Sequence, residues 1–269
     1  VSSSPDFYDG GDGKDTITYA ARTSSVVVTN DGIANDGKKT GFSFNSLEKD
    51  NVSPNIEVIV TTKYDDRVVL TGNVNNTVNA LAGNDNVDTG PGNDIILMGT
   101  GSFESAYGGT GNDTVYGSSG KDTIYPGDGN DTVHAAGGDD FVEGGNGNDL
   151  INAGEGNDAV YDFSGNDTLN GDNGNDRIEA KVGNDILNGG SGNDSLYGGA
   201  GDDVLVGGAG FDAMYGEAGQ DRIFARDYVV SEIVDGGSGG DIADIDFRPF
   251  PLNFVPADLL IGIESYNNF

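Results

Sequence analysis

The stretch Gly144-Gly145-Asn146-Gly147-Asn148-Asp149-Leu150-Ile151-Asn152 contains the nine-residue unit that decides the fold. Its aspartate recurs every nine residues, always two residues after a glycine and two residues before an aliphatic residue or methionine. The strict array comprises Asp113, Asp122, Asp131, Asp140, Asp149, Asp158, Asp167, Asp176, Asp185, Asp194, Asp203, Asp212 and Asp221. Such a fixed short period predicts a repeat architecture, in which each unit buries its apolar face only by stacking on its neighbours.

Each unit reads as a six-residue turn followed by a three-residue strand. Glycine at the fourth position permits backbone conformations that a side chain forbids. Asparagine at the fifth position, as at Asn148, predicts a left-handed backbone, because asparagine tolerates that geometry best among the non-glycine residues. In the strand, the aliphatic residue of the eighth position points inward, and the residues of positions seven and nine point outward.

Two units should make one coil, so successive turns fall on opposite edges. The Asp113 row then contains Asp113, Asp131, Asp149, Asp167, Asp185, Asp203 and Asp221, and the Asp122 row contains Asp122, Asp140, Asp158, Asp176, Asp194 and Asp212. Neighbouring carboxylates lie one strand spacing apart, roughly 4.8 Å, where they repel by about 0.9 kcal/mol even in water. Calcium, which takes six to eight hard oxygen ligands, reverses that repulsion. Six gaps in one row and five in the other give about eleven candidate Ca²⁺ sites.

The composition supports a cation-dependent fold and excludes several classes of partner. The chain has 46 glycines, 13 Lys plus Arg against 45 Asp plus Glu, and a formal net charge of -32. Nucleic acids and anionic membranes need a basic surface, so neither is an expected partner. The absence of cysteine excludes disulfides and thiolate metal sites, and no apolar run is long enough for membrane insertion.

The array loses its regularity at both ends, which predicts three parts. Residues 1–80 are expected to form an N-terminal cap with one isolated repeat at 10–18, residues 81–244 the repeat array, and residues 245–269 a C-terminal cap. Within the array, Phe103 stands where an aspartate is due and one extra residue follows, so the Asp122 row should be interrupted there. Asp94 and Asp241 should extend the Asp113 row beyond its strict members.

The consensus Gly-Gly-x-Gly-x-Asp-x-aliphatic-x resembles the RTX, or hemolysin-type, calcium-binding repeat family over roughly residues 82–241. The resemblance implies an all-β fold, a right-handed parallel β-roll with irregular β caps, and calcium-triggered folding outside the cell. It also implies calcium ligation by the sixth-position carboxylates and by main-chain carbonyls of the first four positions. Such carbonyls are those of Gly108, Thr110, Gly127, Gly129, Gly144, Asn146, Gly189 and Ser191.

The outward-facing residues of the strands allow more than one interpretation. Four ninth-position tyrosines share one face and form either a ligand groove or simply a row of good strand formers: Tyr125, Tyr161, Tyr197 and Tyr215. Asn152, Asn170 and Asn188 should form a stabilising ladder. Threonines on that face hint at an ice-binding row, which Leu150 and Ile186 interrupt. His134 is the only histidine, so no catalytic residue is predicted.

The sequence therefore favours a non-catalytic structural protein, secreted or attached to a cell surface. It should be a calcium-locked rod for spacing, adhesion or assembly, whose partners are calcium and either further copies of itself or a cell-surface polysaccharide. The alternative is the carrier domain of a larger secreted enzyme or toxin.

Overall fold

The computed structural model describes residues 7–9, 13–30, 48–225, 232–245, 259–261 and 265–267. All regular elements in these ranges are β-strands, and none of the described residues belongs to a helix able to cross a membrane. The chain divides into two compact units, Val1–Ala135 and Ala136–Phe269.

The first unit is a parallel β-solenoid of two sheets. Its strands are β1 Phe7–Tyr8, β2 Thr16–Thr18, β3 Val26–Thr29, β4 Glu48–Val52, β5 Val58–Val60, β6 Arg67–Val69, β7 Thr77–Asn79, β8 Asn86–Asp88, β9 Ile95–Leu97, β10 Phe103–Thr110, β11 Thr114–Tyr116, β12 Lys121–Asp128 and β13 Thr132–Gly137, which runs past the end of the unit. One sheet has the order β1-β4-β3-β6-β8-β10-β12, and the other has the order β2-β5-β7-β9-β11-β13. The pairings are parallel, and from β5 onward successive strands alternate between the sheets.

The second unit repeats this architecture more regularly. Its strands are β14 Phe141–Glu143, β15 Gly145–Asn146, β16 Leu150–Glu155, β17 Ala159–Tyr161, β18 Thr168–Asn173, β19 Arg177–Glu179, β20 Ile186–Ser191, β21 Ser195–Ala200, β22 Val204–Ala209, β23 Ala213–Gly219, β24 Arg222–Ala225, β25 Ile233–Asp235, β26 Ser238–Gly239, β27 Ile242–Ile245, β28 Leu259–Ile261 and β29 Ser265–Asn267. The sheet orders are β14-β17-β19-β21-β23-β25-β28 and β16-β18-β20-β22-β24-β27-β29, and β26 also pairs with β23.

The register confirms two nonapeptides per coil. Leu150 pairs with Thr168, and Thr168 pairs with Ile186, so each coil advances the chain by two complete units. Where the sequence is irregular, the coil lengthens instead of breaking. Asn86 pairs with Ser105 and Ala213 pairs with Ile233, so these two coils exceed two nonapeptides by one residue and by two residues respectively.

The core is mainly a column of eighth-position side chains in each sheet, with a few buried first-position residues such as Met98 and Ala153 beside it. Ile151, Leu169 and Leu187 are fully buried, whereas their neighbours at positions seven and nine are partly exposed. A buried Leu or Ile contributes roughly 1.5–3 kcal/mol, and each nonapeptide supplies only one such residue. Side-chain ladders reinforce the stack, since Asn170 Nδ2 donates to Asn152 Oδ1 at 2.9 Å. The core alone is thin for a chain of this length.

From Gly111 to Gly219 the fourth position is always glycine, and the turns there stack closely. Gly174 has φ +144°, and a Cβ built on it would lie 1.4 Å from Gly156 O in the coil before. The second position also takes a left-handed backbone. All five non-glycine residues with positive φ in the described ranges occupy it: Leu81, Ala136, Asp172, Lys181 and Glu217.

The explanation expected for the fifth-position asparagines is wrong. None of the described ones has positive φ. Instead, their side-chain oxygens accept backbone N–H groups from the same position of an adjacent coil. Asn184 N donates to Asn166 Oδ1 at 2.8 Å, and Asn193 N donates to Asn175 Oδ1 at 2.8 Å. Asparagine is therefore used here for its amide oxygen, which satisfies a backbone donor in the neighbouring turn.

Some sequence predictions fall outside the described ranges. These include residues 10–12 of the isolated repeat, the turn-rich segment 31–37 and most of residues 245–269. The division at residues 80 and 244 remains a prediction.

Replacing a fourth-position glycine should be far more costly than replacing a third-position glycine. We expect Gly174→Ala to destabilise the protein by about 3 kcal/mol, because its Cβ would overlap a backbone carbonyl and alanine disfavours positive φ. Gly137→Ala is the control, since its Cβ would meet no atom closer than 3.6 Å. Denaturant unfolding in excess calcium would measure both. Equal midpoints for the two variants would contradict this stacking of the turns.

Candidate metal sites in the repeat turns

The sixth-position aspartates form buried rows in which one carboxylate oxygen is held by the adjacent coil. Asp167 N donates to Asp185 Oδ1 at 2.8 Å, and Asp185 N donates to Asp203 Oδ1 at 2.9 Å. The same bond joins Asp94 to Asp113, Asp113 to Asp131, Asp140 to Asp158, Asp149 to Asp167, Asp158 to Asp176, Asp176 to Asp194, Asp194 to Asp212, Asp203 to Asp221 and Asp221 to Asp241. The backbone therefore fixes the orientation of each carboxylate.

In eleven sixth-position aspartates the second carboxylate oxygen has no hydrogen-bond donor. Buried Oδ2 atoms without a partner belong to Asp85, Asp94, Asp113, Asp158, Asp167, Asp176, Asp185, Asp194, Asp203, Asp221 and Asp241. A buried carboxylate oxygen without a partner is costly, and such atoms are rare unless an ion or water completes them. Repeated along a row, this oxygen fits a bound cation.

First-position carbonyls face the same space. A Cβ built on Gly171 would lie 2.4 Å from Asp176 Oδ2 and 2.6 Å from Gly189 O, the first-position carbonyl of the following coil. At Gly108 the corresponding distances are 2.4 Å to Asp113 Oδ2 and 2.5 Å to Pro126 O. At these two glycines the gap therefore combines a carboxylate oxygen with a main-chain carbonyl and leaves no room for a side chain on the first-position residue. Hard oxygens of both kinds are the ligands that calcium takes.

The other predicted carbonyls lie elsewhere in the turns. Two third-position carbonyls already accept one hydrogen bond: Gly92 N donates to Thr110 O at 2.8 Å, and Gly174 N donates to Ser191 O at 2.8 Å. Gly127 and Gly129 have positive φ. The side chain of Asn146 accepts a hydrogen bond from Ser164 Oγ at 2.8 Å.

The Asp122 row is not interrupted at Phe103, and that prediction is wrong. Glu104 pairs in register with Asp122, and the lengthened coil places it next to Asp85. Glu104 is buried, whereas Phe103 is 65% exposed. The extra residue lengthens the coil by one, so the acidic residue after Phe103 takes the sixth position. Ala106 follows Glu104 by two residues, as the buried eighth-position residue follows each sixth-position aspartate. This spacing is the sequence signal for Glu104, and Ala106 is fully buried.

In the second unit another glutamate takes the sixth position of a turn. Ala213 pairs with Ile233, so buried Glu232 lies opposite Asp212. Sequence counting missed it because the preceding coil is two residues longer than two nonapeptides. At both lengthened coils a glutamate carboxylate therefore takes the place of the aspartate that the period would supply.

Asp66 N donates to Asp85 Oδ1 at 2.7 Å, so Asp66 extends the Asp122 row. Asp122 and Asp66 both receive hydrogen bonds from their own turn. Ser118 N donates to Asp122 Oδ2 at 2.6 Å, and Thr62 N donates to Asp66 Oδ2 at 2.7 Å. These carboxylates depend less on a cation than those with an open Oδ2.

One gap contains a third carboxylate that the repeat does not predict. Asp149, Asp162 and Asp167 each offer one oxygen, and these atoms lie within 4.8 Å of one another. Burial, and then the neighbouring charges of Asp167 and Asp149, raises the pKa of Asp162.

The carboxyl groups of the rows have raised pKa values. Burial raises the pKa of several carboxyl groups to about 6, those of Asp94, Asp113, Asp122, Asp158, Asp176 and Asp185. It raises the pKa to about 7 at Asp167, Asp194 and Asp203, where adjacent aspartates add to the effect of burial. Near neutral pH the rows therefore need either a proton or a cation.

Two members of the predicted tyrosine row stack on each other, and a third, Tyr125, stacks on Tyr107. Tyr197 and Tyr215 stack at 4.9 Å between ring centroids, and Tyr107 and Tyr125 stack at 5.2 Å. The Arg177 guanidinium lies 4.5 Å from the centre of the Tyr197 ring. These contacts stabilise neighbouring strands, as expected of tyrosines that serve as good strand formers.

A comparison with protein-family models matches the RTX calcium-binding nonapeptide repeat. The matched segments are residues 70–102, 98–133, 126–160, 161–196 and 197–227. No curated protein matches the chain. The family match covers more than half of the sequence and coincides with the carboxylate rows.

Acidification should stabilise the metal-free fold. The folded carboxyl pKa values of about 6 to 7 lie above the roughly 3.9 of an unfolded aspartate, so the folded state binds more protons between these values. Its stability should therefore rise as the pH falls from about 7.5 to about 5, and be lost as the pH rises through the folded pKa values. Circular dichroism and unfolding midpoints of protein dialysed free of calcium would measure this, and a midpoint that falls on acidification would contradict it.

Proposed function

We propose that this chain, which belongs to the RTX calcium-binding nonapeptide-repeat family, is a structural or binding protein that folds on calcium outside the cell. The observation that carries the proposal is the repeated buried Oδ2 without a hydrogen-bond partner, in rows that continue through irregular coils. The proposed side-chain ligands are Asp94, Glu104, Asp241 and the thirteen strict aspartates from Asp113 to Asp221. First-position carbonyls would complete each ligand set.

Calcium binding would couple directly to folding. A formal net charge of -32 opposes compaction, and the buried rows concentrate that charge at the coil edges. The unfolded chain does not assemble two adjacent carboxylates and a carbonyl, so the ions bind the folded state and stabilise it by mass action. Sites of this class in extracellular modules have dissociation constants of roughly 0.1–1 mM, which suits a protein that works where calcium is abundant.

The biological role that fits this chemistry is mechanical or adhesive. The repeat carboxylates would be occupied as ligands, and the only histidine, His134, stacks on Tyr116 at 5.2 Å between ring centroids. We therefore propose spacing, adhesion or assembly rather than catalysis. Neutralising the rows would lower the repulsion between acidic surfaces, so that copies of the chain or acidic polysaccharides can approach.

Calcium should convert the chain from a disordered to a folded state. In chelator at about pH 7.5 we expect little strand signal, followed by a cooperative gain as free calcium enters the millimolar range. Circular dichroism gives the folding transition, and light scattering in the same titration tests calcium-dependent assembly. Magnesium is the control, since its stricter geometry suits these sites poorly. Full strand content and a sharp thermal transition in excess chelator would contradict the proposed folding mechanism.

Each carboxylate within a row should serve two ions. Asp158 Oδ1 accepts from Asp140 N at 2.7 Å, and Asp158 N donates to Asp176 Oδ1 at 2.8 Å, so Asp158 belongs to two gaps. We expect Asp158→Asn to weaken two bound ions and to lower the melting temperature by about 4 °C or more.

Asp172→Asn is the matched control for that change. It removes an exposed carboxylate from the second position of a turn, where asparagine tolerates the positive φ. Calorimetry with calcium would count the ions in both variants. The loss of a single ion in Asp158→Asn would show that its carboxylate is not shared.

A further inference from the structure

Asp162 is an exception to the repeat at a position that otherwise excludes ligands. In every other unit of the strict array the first residue of the turn is glycine, alanine or proline. Asp162 is fully buried, and its backbone is held in the coil because its N–H donates to Glu179 O at 2.8 Å. A charged side chain is thus placed where the neighbouring coils have almost no side chain.

The carboxylate of Asp162 points into the gap between two turns of the Asp113 row. Its Oδ1 accepts from Phe163 N at 2.5 Å, and its Oδ2 is buried with no hydrogen-bond partner. A Cβ built on Gly144 would lie 2.3 Å from Asp162 Oδ2 and 3.1 Å from Asp149 Oδ2. The oxygen of Asp162 therefore occupies the space beside the first-position glycine of the preceding coil.

Two aspartates of the row complete the cluster. Asp149 N donates to Asp167 Oδ1 at 2.8 Å, the same bond between coils that orients the carboxylate of Asp185. One oxygen each from Asp149, Asp162 and Asp167 then lies within 4.8 Å of the others. In the described ranges no other group of three or more acidic or histidine side chains approaches so closely.

Charge distinguishes this gap from its neighbours. A row with one carboxylate per turn supplies a single negative charge for each divalent ion, because every carboxylate is shared by two gaps. Asp162 lies outside the shared row and adds one further negative charge to a single gap. Ligand charge is one of the two properties that tune the affinity of calcium sites, the other being rigidity.

We propose that Asp149, Asp162 and Asp167 form a three-carboxylate calcium site that binds its ion more tightly than the other gaps. The inference rests on the proposed function, because it assumes that the gaps hold calcium. This ion would be the first to bind as free calcium rises and the last to leave. The second unit would accordingly begin to fold at this coil.

Calcium retention at buffered free calcium tests the site. The full chain is loaded with calcium and dialysed against a series of decreasing free calcium concentrations, and bound calcium is measured by atomic absorption. For the unaltered chain we expect one ion to be retained to a roughly ten-fold lower free concentration than the rest. Asp162→Gly, which restores the residue of neighbouring turns, should abolish that separate step and leave the total at saturating calcium unchanged.

Asp162→Asn keeps an oxygen ligand and removes the charge, so its last ion should leave at an intermediate concentration. This variant also preserves the test if the glycine variant does not fold. Release curves of Asp162→Gly and Asp162→Asn that superimpose on that of the unaltered chain would overturn the inference while leaving calcium-dependent folding intact. One additional ion in Asp162→Gly would also overturn it, because Asp162 would then be filling the gap instead of binding an ion. An unaltered chain that binds no calcium would refute the proposed function itself.

Discussion

The hydrogen bond from one sixth-position backbone N–H to the carboxylate of the next coil is the interaction on which the turns depend. It fixes the aspartate side chain and uses one oxygen, so the other is left pointing into the turn without a donor. Each coil thereby orients a carboxylate oxygen of the adjacent coil toward the space where a cation would bind. The glycines follow from the same constraint: the first position must leave the carboxylate uncovered, and the fourth must let one turn lie on the next.

The rows also supply the physical basis of the proposed link between folding and ion binding. A buried carboxylate without a counterion costs free energy. Because protonation removes the charge, this cost raises the pKa of the buried carboxyl groups. Protons and calcium both relieve it, one by neutralising the group and the other by bridging two groups. The apolar core is thin, because each nonapeptide contributes one large buried side chain. Whether the coils stack therefore depends on the charges of the carboxylate rows at their edges.

The nine-residue period was sufficient to predict a solenoid, the coil of two nonapeptides and the inward residue of each strand, whereas the parallel β-roll was predicted from the resemblance to the RTX family. The period failed where the chain departs from strict counting. Glu104 and Glu232 were missed because a coil absorbs one or two extra residues in its turn while the strand register is kept. Asp162 was missed as well, because its significance depends on its proximity to Asp149 and Asp167, which no spacing rule contains. The fifth-position asparagines were assigned to backbone conformation, although a hydrogen bond between coils accounts for them.

The proposed calcium ions lie between successive carboxylates along the rows. Anomalous diffraction from crystals grown in calcium tests this most directly, because it locates the ions independently of any folding assay. We expect anomalous peaks about 2.3–2.6 Å from the Oδ2 atoms, in a row that continues past Phe103 through Glu104. Rows without peaks between the carboxylates, or a gap between Asp85 and Asp122 with no ion on either side of Glu104, would contradict the account.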